Sequence, residues 1–470
     1  MSESKGFTSS FGAIAAAVGS AVGLGNIWRF PYICGQYGGG AFLLVYLCFV
    51  FLIGMALMIT EFVMGRRTGR TPIFAYETLA PTPKQRWWRY AGLLGLITSF
   101  LILALYLVIS GWTTNYFAES LTGTLANLDS DGITEHFNEF SSSALRPVVF
   151  IGVFLAICAA VIVGGVQKGI ERVSKILMPV LVVLLAVLCV RSATLPGAAA
   201  GFAYLFKPDF SQLTGQGVLA ALGQALFSLS VGMGVMIVYG SYLPKNDNLL
   251  KTSIWITVCD TLIAILAGIA IFPAVFDCEG LKPNEGPGLV FKTLPVVFNK
   301  MNPAEGLQIG TIFETIFFML LVIAALTSAI SLLEALVAWG EEYKHDGKKS
   351  HRTRNTVIIC VLLLMLSAAL SLSNGVWSNF HIGGKTLYEF VDQLDSIYLP
   401  PICSLCAVIF LGWVMNKDAI KDELSNHGTV ATPLYGVFMF VVRYVAPIAL
   451  VIVLATGIVN SLQPPVIVNN

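Results

Sequence analysis

The chain has 470 residues, 56% of them hydrophobic and only 12% charged, with a formal net charge of +1. Soluble domains carry about 25% charged residues, and a mean hydropathy of +0.78 is more apolar content than one water-soluble core conceals. The balance of charge offers neither a basic surplus for nucleic acid nor an acidic tail, so the chain reads as a polytopic membrane protein in a lipid bilayer.

A crossing helix needs about 20 mainly apolar residues. Backbone groups inside lipid must be bonded internally, so each such run is read as helix. Eleven are predicted, at 11–33, 40–64, 89–118, 146–165, 168–191, 216–242, 251–276, 308–340, 354–373, 386–413 and 433–460. The first lacks a basic leader and a cleavage site, and so reads as a retained span after a short N-terminal segment, residues 1–10. Arg66, Arg67, Arg70, Lys84, Arg86 and Arg89 crowd the connection after span two; Lys344, Lys348, Lys349, Arg352 and Arg354 crowd the one after span eight. Glu119, Asp129, Asp131, Glu135 and Glu139 follow span three. Positive-inside counting therefore places the N-terminus in the cytoplasm, and the expected location is the cell (inner or plasma) membrane.

Spans one and six differ from the rest. Span one is interrupted by Gly19-Ser20-Ala21-Val22-Gly23-Leu24-Gly25-Asn26, and span six by Ser228-Leu229-Ser230-Val231-Gly232-Met233-Gly234. Each opens a half of five spans, residues 11–191 and 216–413, with the last span, 433–460, outside the repeat. An odd number of spans per half turns the second half over in the membrane. Glycine lowers the cost of unwinding, and an unwound turn offers carbonyls to a cation and amides to an anion. One such segment alone would favour a small-residue packing seam, Gly19-xxx-Gly23; two matched ones favour a site. Neither is a dinucleotide fingerprint, because GxGxxG fails at Trp28 and no strand precedes it. Cys403 and Cys406 form a CxxC inside an apolar run and read as packing. The five histidines lie in polar connections without metal-ligand spacing. No nucleophile–base constellation marks an enzyme.

The stretch Gly19–Pro31 (GSAVGLGNIWRFP), with Gly38-Gly39-Gly40-Ala41-Phe42, Lys168-Gly169-Ile170-Glu171-Arg172 and Leu326-Thr327-Ser328, resembles the neurotransmitter:sodium symporter family, its bacterial amino-acid members most closely. The likeness runs from about residue 7 to 450. It implies an all-α membrane protein with the LeuT-type 5+5 inverted repeat and broken helices one and six, an arrangement this class of transporter itself exemplifies.

It further implies two sodium sites. The first uses Ala21, Asn26, Ser228 and Asp260, and the second Gly19, Val22, Ala324, Thr327 and Ser328. Read alone, Thr327 and Ser328 would be hydroxyls bonded to their own helix. Asp260 is the more telling residue, since a carboxylate within a span marks function by default. The family often has Asn there. Chloride-dependent relatives surround an anion with groups that Tyr46, Gln224 and Ser228 match, but Ala264 replaces an expected serine. The expectation is that the charge of Asp260 makes chloride unnecessary.

The implied substrate pocket is Ala21, Leu24, Gly25, Ile102, Tyr106, Phe227, Ser228, Ser230, Met233, Ser328 and Leu332. Amides of Leu24 and Gly25 with the Tyr106 hydroxyl would hold a carboxylate; carbonyls of Ala21, Phe227 and Ser228 would receive an ammonium. Monoamine carriers place Asp at the Gly23 position, so glycine implies a substrate that brings its own carboxylate. An apolar wall with flexible Met233 implies a hydrophobic or aromatic amino acid such as tryptophan, tyrosine or leucine. Arg29 and Asp392 match the outer gate, with Tyr106 and Phe227 as a lid. The inner gate matches less well: Lys5 is the nearest base, with Glu341 and Glu342 as partners. Gly169 and Pro179 in span five offer a place to unwind toward the second sodium site, or an ordinary kink. The expected activity is sodium-coupled import of an amino acid, by a monomer or homodimer; a channel or a transport-incompetent receptor are the rivals.

Overall fold

The computed structural model describes residues 6–126, 128–278, 289–302, 308–343 and 351–462, with residues 461 and 462 described by backbone alone. Lys5, Lys344, Lys348 and Lys349 lie outside the described residues. The fold is the expected all-α one, with one small hairpin among the described residues, in which His381–Ile382 pairs antiparallel with Lys385–Thr386. Among the described residues nine helices are long and apolar enough to cross a membrane, and ten if the bent pair Ser10–Ala21 and Gly25–Gln36 is one span. The predicted span six fails that test because residues 229–234 part it into Gly215–Ser228 and Val235–Tyr242. Eleven is reached only by counting those halves as one crossing.

Each break has a local cause. Ser9 caps the first helix by accepting Gly12 N–H at 3.1 Å, and the helix stops where Val22 turns extended. The chain resumes as a π-helical turn, Gly25–Arg29, bent 47° from the first half. In span six the chain takes positive φ at Ser230 (52°), Gly232 (77°) and Gly234 (75°). Glycine adopts that region freely, while serine is strained there. Ser230 is held by its own side chain, whose hydroxyl donates to the Ser20 carbonyl at 3.1 Å and ties the two breaks together. The amide released at Gly232 donates to the buried Glu61 carboxylate of span two at 2.6 Å.

Packing repeats between the halves. Span three (Arg89–Thr122) lies along span eight (Ile309–Tyr343), and span four (Arg146–Val163) along span nine (Arg352–Leu372), so each meets its counterpart. The broken helices sit inside this frame, with Ser10–Ala21 against spans five (Val166–Ala193), seven (Leu249–Phe276) and eight. At the basic end, Arg66 is 1% exposed; it pairs with Glu423 at 2.5 Å and donates to the Asn426 side chain at 2.8 Å. This fastens span two to the helix Lys417–Leu424. All nine cysteines are free thiols, and Cys403 lies 3.4 Å from the Thr98 hydroxyl in a packed interface.

Candidate functional site

Between the two breaks lies a small cavity of about 20 Å³, lined by Ala21, Gly23, Gly25, Ile102, Tyr106, Phe227, Ser230, Met233, Ser328 and Leu332, with Ser20. That is room for little more than one water, so a larger guest requires side chains to move. The Tyr106 hydroxyl accepts from Leu24 N–H at 3.0 Å. A Cβ at Gly23 would meet the Ser328 hydroxyl at 2.3 Å and the Tyr106 hydroxyl at 2.8 Å; one at Gly25 would meet the Phe227 ring at 2.9 Å. Both glycines are required by close approach.

Against this cavity stands a fully buried polar cluster. Asn26 donates to the Asp260 carboxylate at 2.8 Å, to the Asp260 carbonyl at 3.0 Å and to the Ser228 hydroxyl at 3.1 Å. Its amide oxygen accepts from Gly23 N–H at 3.1 Å. Ser228 donates to the other Asp260 oxygen at 2.7 Å and accepts from Tyr46 at 3.2 Å. Asp260 thus sits among the groups, Tyr46 and Ser228, that match an anion site. Gln224 turns away to the Gly25 carbonyl at 2.8 Å.

The remaining oxygens meet where span eight crosses the first break. The Val22 carbonyl receives Thr327 at 3.3 Å and Ser328 at 3.2 Å. Thr327 also reaches the carbonyls of Ala324 at 3.1 Å and Ile323 at 3.3 Å, the bonding to its own helix that its sequence position alone would give. Gly19 lies against Thr327, whose Cβ would be 3.5 Å from a Cβ there. No trio of His, Cys, Asp and Glu able to hold a metal occurs among the described residues. The two groups instead offer carbonyl, hydroxyl, amide and carboxylate oxygens, which suit a hard cation.

A profile of the sodium:neurotransmitter symporter family matches residues 5–146 and 146–469, which is nearly the whole chain. The chain belongs to this family. It is 38% identical over 455 residues to YhdH, a sodium-dependent transporter of Bacillus subtilis, covering 96% of this chain and 98% of that one. A sodium- and chloride-dependent GABA transporter of Drosophila melanogaster is 26% identical over 469 residues, 90% of this chain and 48% of that protein. Among solved structures, MhsT in complex with L-phenylalanine matches with a TM-score of 0.86 and 40% identity over 96% of this chain and 99% of that one. The symporter is therefore a sodium-dependent membrane transporter with the LeuT-type fold.

The gates of this symporter differ in detail from the sequence reading. Arg29 and Asp392 are not in ion-pair contact: Arg29 donates to Gln224 at 3.2 Å and lies 4.7 Å over the Phe227 ring, while exposed Asp392 accepts from Ser396 at 3.3 Å. One turn on, Asp395 is 4% exposed with one carboxylate oxygen unpartnered among the described residues. Sequence reasoning missed it; the signal was an Asp three residues after the chosen one.

At the basic end, Glu341 and Glu342 are already engaged elsewhere. Glu342 pairs with Arg70 at 2.6 Å and accepts from Thr71, and Glu341 pairs with Arg352 at 3.0 Å. Arg352 also pairs with fully buried Glu334, which accepts from Tyr242 at 2.7 Å. Phe7 closes over this group, its ring 5.8 Å from Tyr239 and 6.0 Å from Tyr242. Glu334 was absent from the sequence reading, and Arg352 entered it only as one of the basic residues after span eight, although a glutamate inside an apolar span was the available signal. In span five a π-helical turn, Val166–Glu171, contains Gly169, and a Cβ there would meet the Val161 carbonyl at 2.1 Å. Close packing alone therefore accounts for this glycine.

Proposed function

We propose that this symporter imports a hydrophobic or aromatic amino acid, coupled to sodium at two sites and independent of chloride. The observation that carries this reading is the cavity between the breaks: the Tyr106 hydroxyl in its wall accepts from the Leu24 amide, donors that suit a carboxylate, and a Cβ at Gly23 would press on Ser328 and Tyr106. A pocket that supplies no acid for an amine suits a solute with its own carboxylate. Its wall of Ile102, Phe227, Met233 and Leu332 suits an apolar side chain. The L-phenylalanine bound to MhsT supports the same solute class.

Sodium and substrate are both cargo. In this reading the first ion is held by Ala21, Asn26, Ser228 and Asp260, next to the substrate carboxylate, and the second by Gly19, Val22, Ala324, Thr327 and Ser328. A shared site makes each cargo raise the other's affinity, and that coupling is reciprocal. Asp260 supplies the fixed negative charge that a chloride ion would otherwise bring. Outer closure draws Arg29 off Gln224 toward Asp392 and Asp395. The inner seal is Glu334, Arg352, Tyr242 and Phe7, with the N-terminus cytoplasmic. The test is calorimetric binding of each of the twenty amino acids, with sodium and with potassium. The proposal expects sodium-dependent binding of a few large apolar ones; binding of none, or of amines alone, would overturn it.

A further inference from the structure

Glu314, in the second turn of span eight, takes no part in the site above. It is fully buried, and neither carboxylate oxygen has a hydrogen-bond partner among the described residues. The charge that acts on it is that of Glu119, from span three, and has the same sign. Glu119 is itself fully engaged, with His136 of the helix Ser130–Ser142 at 2.9 Å and Arg146 of span four at 3.0 Å. Tyr116, one turn before Glu119 on span three, has a buried hydroxyl that is also unpartnered among the described residues, and its ring lies 6.3 Å from that of His136.

Among the described residues no cation on the other elements bonds to Glu314: Lys292, in the segment Leu289–Thr293, donates to Asn138 at 3.1 Å and lies 5.3 Å over the Phe137 ring. Arg191 of span five lies 5.8 Å over the Phe313 ring and donates to Thr194 at 3.1 Å. Lys300, ending the helix Leu294–Lys300, is exposed. The charged residues of span nine, Arg352 and Arg354, are at its opposite end, and Ser10–Ala21 has no titratable side chain. The tyrosines of Val235–Tyr242 belong to the basic end, where Tyr242 meets Glu334. An ionised carboxylate buried without a partner, beside another carboxylate, is far costlier than the neutral acid. Side-chain exposure is 17% at His136 and 11% at Glu119, and Glu314 is fully buried, so burial deepens from the His136–Glu119 pair to Glu314. Around it, Phe291 packs 5.4 Å from Tyr116, 5.6 Å from Phe137 and 6.3 Å from Phe318, one turn after Glu314.

We infer that Glu314 is a proton-binding site, loaded from the acidic face through His136 and Glu119, and that its loss of the proton loosens the segment Leu289–Lys300 from span three. An ionised Glu314 must draw water or a cation into the aromatic cluster that holds Phe291.

The inference does not rest on the identity of the transported solute, and neither does its test. Infrared difference spectra of the full-length protein in lipid, wild type minus Glu314→Gln, should show a protonated-carboxyl band at neutral pH. The band should vanish at alkaline pH. Glu119→Gln keeps Glu314 but removes the like charge and frees Arg146, so the band should persist and its midpoint should fall by about one pH unit or more. Hydrogen exchange of residues 289–300 should quicken at alkaline pH in the wild type and stay flat in Glu314→Gln. Should Glu314→Gln not fold, the Glu119→Gln shift and the wild-type exchange profile decide. A wild-type spectrum with no band of this kind overturns the proton site. A band whose loss leaves exchange unchanged overturns the link to the loop.

Discussion

The Ser228 hydroxyl donates to the Asp260 carboxylate at 2.7 Å, and both are buried against the first break. In the proposed reading a fixed carboxylate at this position supplies the negative charge beside the first sodium ion from within the protein. Replacing chloride by gluconate should therefore leave uptake by the wild type unchanged. Asp260→Asn should weaken apparent sodium affinity about tenfold or more, within the usual range of coupling between sites. Sodium titrations in both salts check this, and chloride-dependent wild-type uptake would refute it.

Gly23 lies where a methyl group would press on both Ser328 and Tyr106. Overpacking of this kind costs about 1–3 kcal/mol, so Gly23→Ala should weaken sodium-dependent substrate binding by about five- to 150-fold. Part of the same cost falls on folding stability. Calorimetry with thermal unfolding as a control separates the two effects.

Asp395 is buried, while Asp392, one turn earlier on the same helix, is exposed and bonded to Ser396. Asp395→Asn should slow uptake more than Asp392→Asn, by about tenfold, the size of one charge-assisted hydrogen bond. Equal effects, or the reverse order in initial-rate assays, would reassign the outer closure.

The Arg66–Glu423 pair is buried and its guanidinium has further partners, so removing the acid leaves a charge stranded. Glu423→Ala should destabilise the protein by about 3–5 kcal/mol. The check is a lower thermal midpoint in detergent, with substrate affinity retained in the folded fraction.

The breaks were legible because they depend on local chemistry: two glycine-rich polar segments within apolar runs, at matching places in each half. Asn26 and Ser228 were named through the family resemblance, and of this cluster only Asp260, a carboxylate within a span, stood out by its chemistry alone. The gates were less legible because they depend on which turn of a helix faces which neighbour. Asp392 and Asp395 are indistinguishable by composition, and only burial separates them. Glu341 and Glu342 looked free, yet Arg352 and Arg70 occupy them across loops that no local pattern connects. Gly169 shows the converse, a residue read as a point of flexibility that stands against the Val161 carbonyl. Gly169→Ala would disturb packing whatever its role in release.

Accumulation in proteoliposomes is the most direct measurement of coupling at the broken helices. Purified protein is reconstituted and given an inward sodium gradient with a labelled large apolar amino acid. The account predicts saturable uptake above the external concentration, collapse of the pool when the gradient is dissipated, and loss of uptake in Gly23→Ala. Equilibration without accumulation, or accumulation indifferent to sodium, would contradict it.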